Sequence, residues 1–168
     1  MGRWYEQARD TDFVFERGTC SFATYSIKDN GHVQVANSEK RNDKFSVANA
    51  DATLHDDSGE GWLDVKFSVF SPAWPYEIMD TDYETYALIY GCGGVSSLFS
   101  VENVWIMTRD PVVSDDLMAE LEAKVAAAVP KYDQDKYFEF THQGDDCGYP
   151  TDLNAVHHGH FWDAFLQE

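Results

Sequence analysis

Leu63-Asp64-Val65-Lys66-Phe67-Ser68 alternates strictly between apolar and polar side chains. On an extended chain Leu63, Val65 and Phe67 share one face and Asp64, Lys66 and Ser68 the other. A run of this kind reads as a strand with one dry face. Working outward, segments of the same character recur between turn signals. Upstream lie Tyr5 to Ala8, Ser21 to Lys28, His32 to Ser38 after the Asp29-Asn30-Gly31 turn, and Lys44 to Leu54. Downstream lie Tyr76 to Asp80, Tyr86 to Cys92 and Asn103 to Thr108. Strands that follow one another without intervening helices pair with their sequence neighbours, and closing the set removes both exposed edges. The pattern predicts an all-β fold, an eight-stranded antiparallel up-and-down barrel with room inside for one small ligand.

One helix breaks the pattern. Ser114 can cap it, Asp115 and Asp116 occupy the first turn where the helix dipole favours acids, and Pro130 ends it. Leu117, Leu121, Val125 and Ala128 form a stripe that should pack on the outside of the barrel. Tyr137 to Thr141 reads as a short ninth strand. The chain divides into a barrel domain over residues 1–147 and an irregular C-terminal extension over 148–168.

The 168 residues are enough for one compact domain. Twelve basic against thirty acidic side chains give a net charge of −18, which excludes nucleic acid as a partner and disfavours anionic surfaces. No apolar run reaches the roughly 18 residues of a membrane-spanning helix. Met1 abuts the first motif, so a targeting segment of a precursor would lie outside this chain. Gly-x-Ser-x-Gly, His-Glu-x-x-His and a glycine-rich phosphate loop are all missing, so no catalytic residues are assigned, the chain is read as not an enzyme, and no cofactor is required. His157, His158, His160 and Asp163 sit together on the terminal tail and are read as a solvated segment, with no metal site. The three cysteines, Cys20, Cys92 and Cys147, fit either one disulfide with a spare thiol or three buried thiols.

Three short motifs go further. Gly2-Arg3-Trp4 opens the chain, Thr81-Asp82-Tyr83 forms a mid-chain turn, and Arg109 closes a strand some way beyond it. Together they resemble the three signatures of the lipocalins. The stretches from Leu63 to Tyr76, from Thr81 to Cys92 and from Val104 to Pro111 are similar to the apolipoprotein D group, and more distantly to the bacterial outer-membrane lipocalins. The resemblance implies that Gly2, Trp4, Thr81, Asp82, Tyr83 and Arg109 are structural, with Trp4 plugging the closed end under the Arg109 guanidinium. It also implies a Cys20–Cys147 disulfide and leaves Cys92 without its family partner. A disulfide implies an oxidising compartment: secreted, periplasmic or the lumen of an organelle.

Parity and the family register together assign the inward face to Val33, Val35, Leu63, Val65, Phe67, Tyr76, Ile78, Ala87, Ile89, Asn103, Trp105 and Met107. Tyr25, Asn37 and Trp105 are carried over from the ligand pocket of the resembling group. Trp105 offers a flat apolar surface, while the Tyr25 hydroxyl and the Asn37 amide can bond a polar head. The bland alternative is that Tyr25 and Asn37 only satisfy each other or a buried water. At the open end Phe13, Phe15, Trp74, Leu98 and Phe99 form either a contact rim for a membrane, lipoprotein or protein, or a lid folded inward. The resemblance implies binding and transport of a small hydrophobic ligand such as a fatty acid, lysophospholipid, sterol or isoprenoid. The alternatives are a pigment (carotenoid, bilin or chlorophyll) in the same calyx, or a structural subunit docking through its rim on a larger assembly.

Overall fold

The computed structural model describes residues 1–11, 16–56, 58–96, 99–153 and 156–158. Eight strands follow in order: β1 (Gly2–Asp10), β2 (Thr19–Ile27), β3 (Val33–Arg41), β4 (Lys44–Leu54), β5 (Trp62–Lys66), β6 (Trp74–Thr81), β7 (Tyr86–Ser96) and β8 (Phe99–Thr108). Each is antiparallel to the next, β8 returns to β1, and β4 meets β5, so the sheet closes into the expected barrel.

Two later strands lie outside that circuit. β9 (Phe138–Phe140) pairs with the far end of β1, while β10 (His157–His158) runs parallel to β4 at Ser46 and Val47. β5 is only five residues long and pairs with β4 from Asp51 to Leu54, so the first half of β4 would otherwise present an open edge. β10 covers part of that edge. The sequence pattern missed it because two residues carry no periodicity.

Other differences have local causes. β5 stops at Lys66, not Ser68, because the Ser71 amide turns back to the Ser68 carbonyl at 3.2 Å and the two serine side chains reinforce the turn. Phe67 still packs against the barrel lining from beyond the strand end. β7 and β8 extend past the expected ends to Ser96 and Phe99, making the longest hairpin. The main helix, α1 (Asp115–Ala128), is capped by the Ser114 hydroxyl accepting from the Leu117 amide at 3.2 Å. Leu121 and Val125 are fully buried, with Leu117 and Val129 beside them, whereas Ala128 is exposed: the fourth layer falls on the i+4 position, not i+3. A second, one-turn helix, α2 (Gln134–Tyr137), capped by Asp133, was not foreseen.

The apolar run from Tyr86 to Tyr90 does not alternate because both of its faces are covered. Leu88, with Val104 and Ile106 of β8, packs under α1 around Ala8 and Tyr132. Ala87 and Ile89, with Trp105 and Met107, point into the barrel. One sheet segment therefore serves two cores, one inside the barrel and one between barrel and helix.

The closed end is built as the signatures imply. The Arg109 guanidinium carbon lies 3.6 Å from the centre of the Trp4 ring, and its Nη1 donates to the Arg3 carbonyl at 3.0 Å. Gly2 has a φ of +87°, and a β-carbon there would sit 3.2 Å from that same Nη1, so both backbone and space call for glycine. In the Thr81-Asp82-Tyr83 turn the Asp82 carboxylate accepts from the amides of Glu84, Thr85 and Tyr86 at 3.0, 2.7 and 3.1 Å, and from the Thr85 hydroxyl. Slight burial works against its ionisation, but these bonds win and hold Asp82 well below the usual carboxylate range. A depressed carboxylate contributes stability above its unfolded value of about 3.9 and loses it as pH falls through the folded value. Asp82→Asn should therefore melt lower than the parent at neutral pH, and the gap should shrink below about pH 4. Melting curves across that range check this, and an unchanged gap in acid would remove the carboxylate from the account.

Candidate ligand-binding site

The barrel interior is lined by two connected clusters. One comprises Trp4, Ala23, Ala87, Ile89, Trp105 and Met107; the other Val35, Ala50, Ala52 and Val65, with Val33, Leu63 and Phe67 against it. Tyr25 and Tyr76 touch both clusters. Ile78 is half-buried beside Gly61, next to a bulge in β6 between Ile78 and Asp80. Asn103, fully buried, lies on β8 two residues before Trp105 and directly opposite Gly91 of β7.

The carried-over polar groups of this interior have partners within the protein. Tyr25 and Asn37 do not satisfy each other. The Tyr25 and Tyr76 hydroxyls share a hydrogen bond of 2.7 Å, and burial among protein atoms pushes the Tyr25 hydroxyl up to about 12. Asn37 donates through Nδ2 to Glu16 Oε1 at 3.2 Å, and Trp105 donates through Nε1 to Glu16 Oε2 at 3.1 Å. Glu16, just ahead of β2, thus places its carboxyl between two of the three carried-over residues. Burial, followed by the nearby Glu6 and Glu39 carboxylates, raises its pKa well above the ordinary glutamate value.

Glu6 shares a hydrogen bond with Glu16 and is itself nearly inaccessible. It pairs with the buried Arg9 guanidinium, Nη1 to Oε1 at 2.8 Å, and accepts from the Thr141 hydroxyl. Arg9 also donates to the Gly18 carbonyl and to Glu139 of β9. Glu39 accepts from the Arg17 and Gly18 amides at 3.0 and 2.6 Å, which anchors the chain as it enters β2. Glu16 and Glu6 escaped the sequence reading because a glutamate in a loop reads as solvated. The readable signal was Glu6 beside Trp4, an acid at an inward position of a strand that starts in the barrel core.

Trp74 is turned inward. A β-carbon on Gly91 would lie 2.8 Å from Trp74 Nε1, and one on Gly93 would lie 2.7 Å from its six-membered ring. The two glycines leave the space in which the indole lies flat on β7. Phe13, Phe15 and Leu98 fall outside the described residues, as do His160 and Asp163, and of Phe99 only the backbone position in β8 is described. Among the described residues, the exposed apolar side chains between β5 and β6 are Val69 and Phe70, 89% and 95% accessible.

The disulfide forms as expected between Cys20 and Cys147, and Cys92 is a free, exposed thiol. His142 lies close to the bridge and bonds Asp146 at 2.9 Å, but both sulfurs near it are committed to each other. No helix among the described residues is long and apolar enough to cross a membrane.

Comparison with known proteins agrees with this architecture. A sequence family described as a lipocalin-like domain matches residues 1–142. Bovine (Bos taurus) apolipoprotein D is 38% identical over 123 residues, 73% of this chain, and this chain spans 65% of that protein's length. The outer membrane lipoprotein Blc of Vibrio cholerae is 30% identical over 123 residues, covering 70% of this chain and 67% of its own. Lobster apocrustacyanin A1 superposes with a TM-score of 0.73 at 24% identity, covering 92% of this chain and 83% of the other, which bears on the fold alone. On the match of the family across the barrel, and on the signature residues it brings together, the chain is a member of the lipocalin family.

Proposed function

We propose that this chain is a carrier that takes a small hydrophobic ligand into the barrel and releases it chemically unchanged, in an oxidising compartment where the Cys20–Cys147 bridge persists. The observation that supports this most is the lining. Apolar walls from β3 through β8 surround a few polar groups, the Tyr25–Tyr76 hydroxyl pair and the Asn37–Glu16–Trp105 chain, that can orient a ligand without chemistry of their own. Among the members of that chain, Trp105 offers the largest flat apolar face, and Tyr76 stands 6.3 Å from it, ring centre to ring centre.

Trp105→Ala should weaken binding of a hydrophobic fluorescent probe about tenfold or more, the effect of losing a large buried aromatic contact worth roughly 1.4 kcal/mol or above. Titration of the probe against both proteins reads it. Unchanged affinity would place the site elsewhere. A coloured protein on isolation from its own source would make the ligand a pigment in the same calyx. The exposed Val69–Phe70 tip supports a second role for the loop end, contact with a membrane, lipoprotein or protein, and replacing both by serine should abolish such contact without altering probe binding.

A further inference from the structure

We propose that the calyx selects neutral, hydroxyl-bearing lipids over carboxylates, with the Arg9 charge already taken up by Glu6 and Glu139 and with Asn103, together with Trp74, receiving the hydroxyl. This rests on the carrier reading above and narrows its ligand.

Two independent observations lead to it. The first is the charge inside the barrel. Glu16 faces the interior between Asn37 of β3 and Trp105 of β8, shares a hydrogen bond with Glu6 of β1, and lies close to Glu39 of β3. Tyr25 of β2 and Tyr76 of β6 are the other titratable groups on the lining beside it, both held neutral by burial. Arg9 is the nearby cation among the described residues; its Nη1 and Nη2 are committed to Glu6, Glu139, the Gly18 carbonyl and Thr141, while its Nε is buried without a partner there. Among the described residues, a carboxylate entering here meets acids, hydroxyls and a guanidinium whose charge Glu6 and Glu139 already balance. Burying an ionised carboxylate without a counter-charge is strongly unfavourable, so such a ligand would have to take up a proton or stay out.

The second observation is a set of orphaned polar atoms. Asn103 is fully buried, and among the described residues neither its Nδ2 nor its Oδ1 has a hydrogen-bond partner; Trp74 Nε1 is buried and unpartnered among them as well. Native proteins rarely leave such groups unpaired, because burial removes the water that would otherwise bond them. The two residues are neighbours. Asn103 sits opposite Gly91 across the β7–β8 pair, and Trp74 Nε1 lies over that same glycine, beside the Trp105 ring. The group presents two donor nitrogens carrying three N–H bonds, and one carbonyl acceptor. A hydroxyl, which both donates and accepts, can satisfy an acceptor and a donor at once. A carboxylate accepts only, leaves Oδ1 facing a like partial charge, and brings a negative charge that Arg9, balanced by Glu6 and Glu139, does not offset. Parity places Asn103 on the inner face, and its lack of a partner among the described residues is what gives it a role.

A matched pair of ligands tests this: all-trans-retinol and all-trans-retinoate share one apolar body and differ in the head. Quenching of intrinsic tryptophan emission, titrated at pH 7.5 with the full chain, should give retinol an affinity at least tenfold higher than retinoate. Asn103→Leu should bring the ratio below about threefold by weakening retinol. Retinoate binding as tightly as retinol to the parent protein overturns the selectivity and leaves the carrier reading standing. Quenching by neither ligand overturns both. A tenfold ratio that Asn103→Leu leaves intact removes the role of Asn103. The parent ratio depends on no variant, so misfolding of the substituted protein cannot rescue the proposal.

Discussion

Replacing Cys20 and Cys147 together by serine should destabilise the protein by about 2–5 kcal/mol, among the largest losses any change outside the barrel core can produce. The bridge joins residues 127 apart in sequence, and its α-carbons stand 5.7 Å from each other. In the chain-entropy view, a closed loop of that length restricts the unfolded ensemble strongly. It also ties the start of β2 to the segment after β9, where the Cys20 amide already bonds the His142 carbonyl at 2.8 Å and Lys40 donates to the Cys147 carbonyl at 3.2 Å. For a domain of this size the loss corresponds to a melting temperature lower by roughly 5–20 °C. Calorimetry of the double-serine variant against the oxidised parent measures it, and reduction of the parent should reproduce the shift. A variant within 1 °C of the parent would mean that the strand pairing holds these segments unaided.

Trp4→Ala should cost about 3–5 kcal/mol, because it removes a nearly buried indole from the barrel floor and leaves a void among Ala23, Ala87 and Met107. It also takes away the ring beneath Arg109, a contact worth about 0.5–2 kcal/mol. Denaturant unfolding of Trp4→Ala, Arg109→Ala and the double variant separates the two parts: the cavity follows Trp4 alone, and the coupling between the residues should fall in the cation–π range. Independent, additive losses would show that Arg109 acts only through its bonds to the Arg3 and Tyr83 carbonyls.

How legible the fold was depends on whether each residue's surroundings are local. The barrel was readable because period-two alternation survives wherever one face of a strand meets water, as at Leu63 to Lys66. Where α1 covers the second face, alternation vanishes, yet a continuous run such as Tyr86 to Tyr90 still reads as strand by its residue types. Turns cost accuracy at the ends: the Ser68–Ser71 bonds that stop β5 depend on side chains, not on hydropathy. The site was legible in its walls and not in its wiring. Val35, Val65, Ala87, Ile89, Trp105 and Met107 face inward by parity, but no pattern announces that Glu16 reaches Asn37 and Trp105 from a loop, or that Tyr25 finds Tyr76 across 51 residues. Those contacts are made by barrel closure, which brings together strands that sequence spacing keeps far apart.

The inward side of β7 loses bulk along its length, from Ile89 to Gly91 and Gly93, and Trp74 fills the volume so released. Trp74 opens β6 at the end of the barrel opposite the Thr81–Tyr83 turn, so its indole stands toward the mouth. The bore at that level is therefore gauged by one aromatic ring resting on bare backbone. Its width there depends on the torsion of one side chain over Gly91 and Gly93 and not on the pairing of β6 with β7.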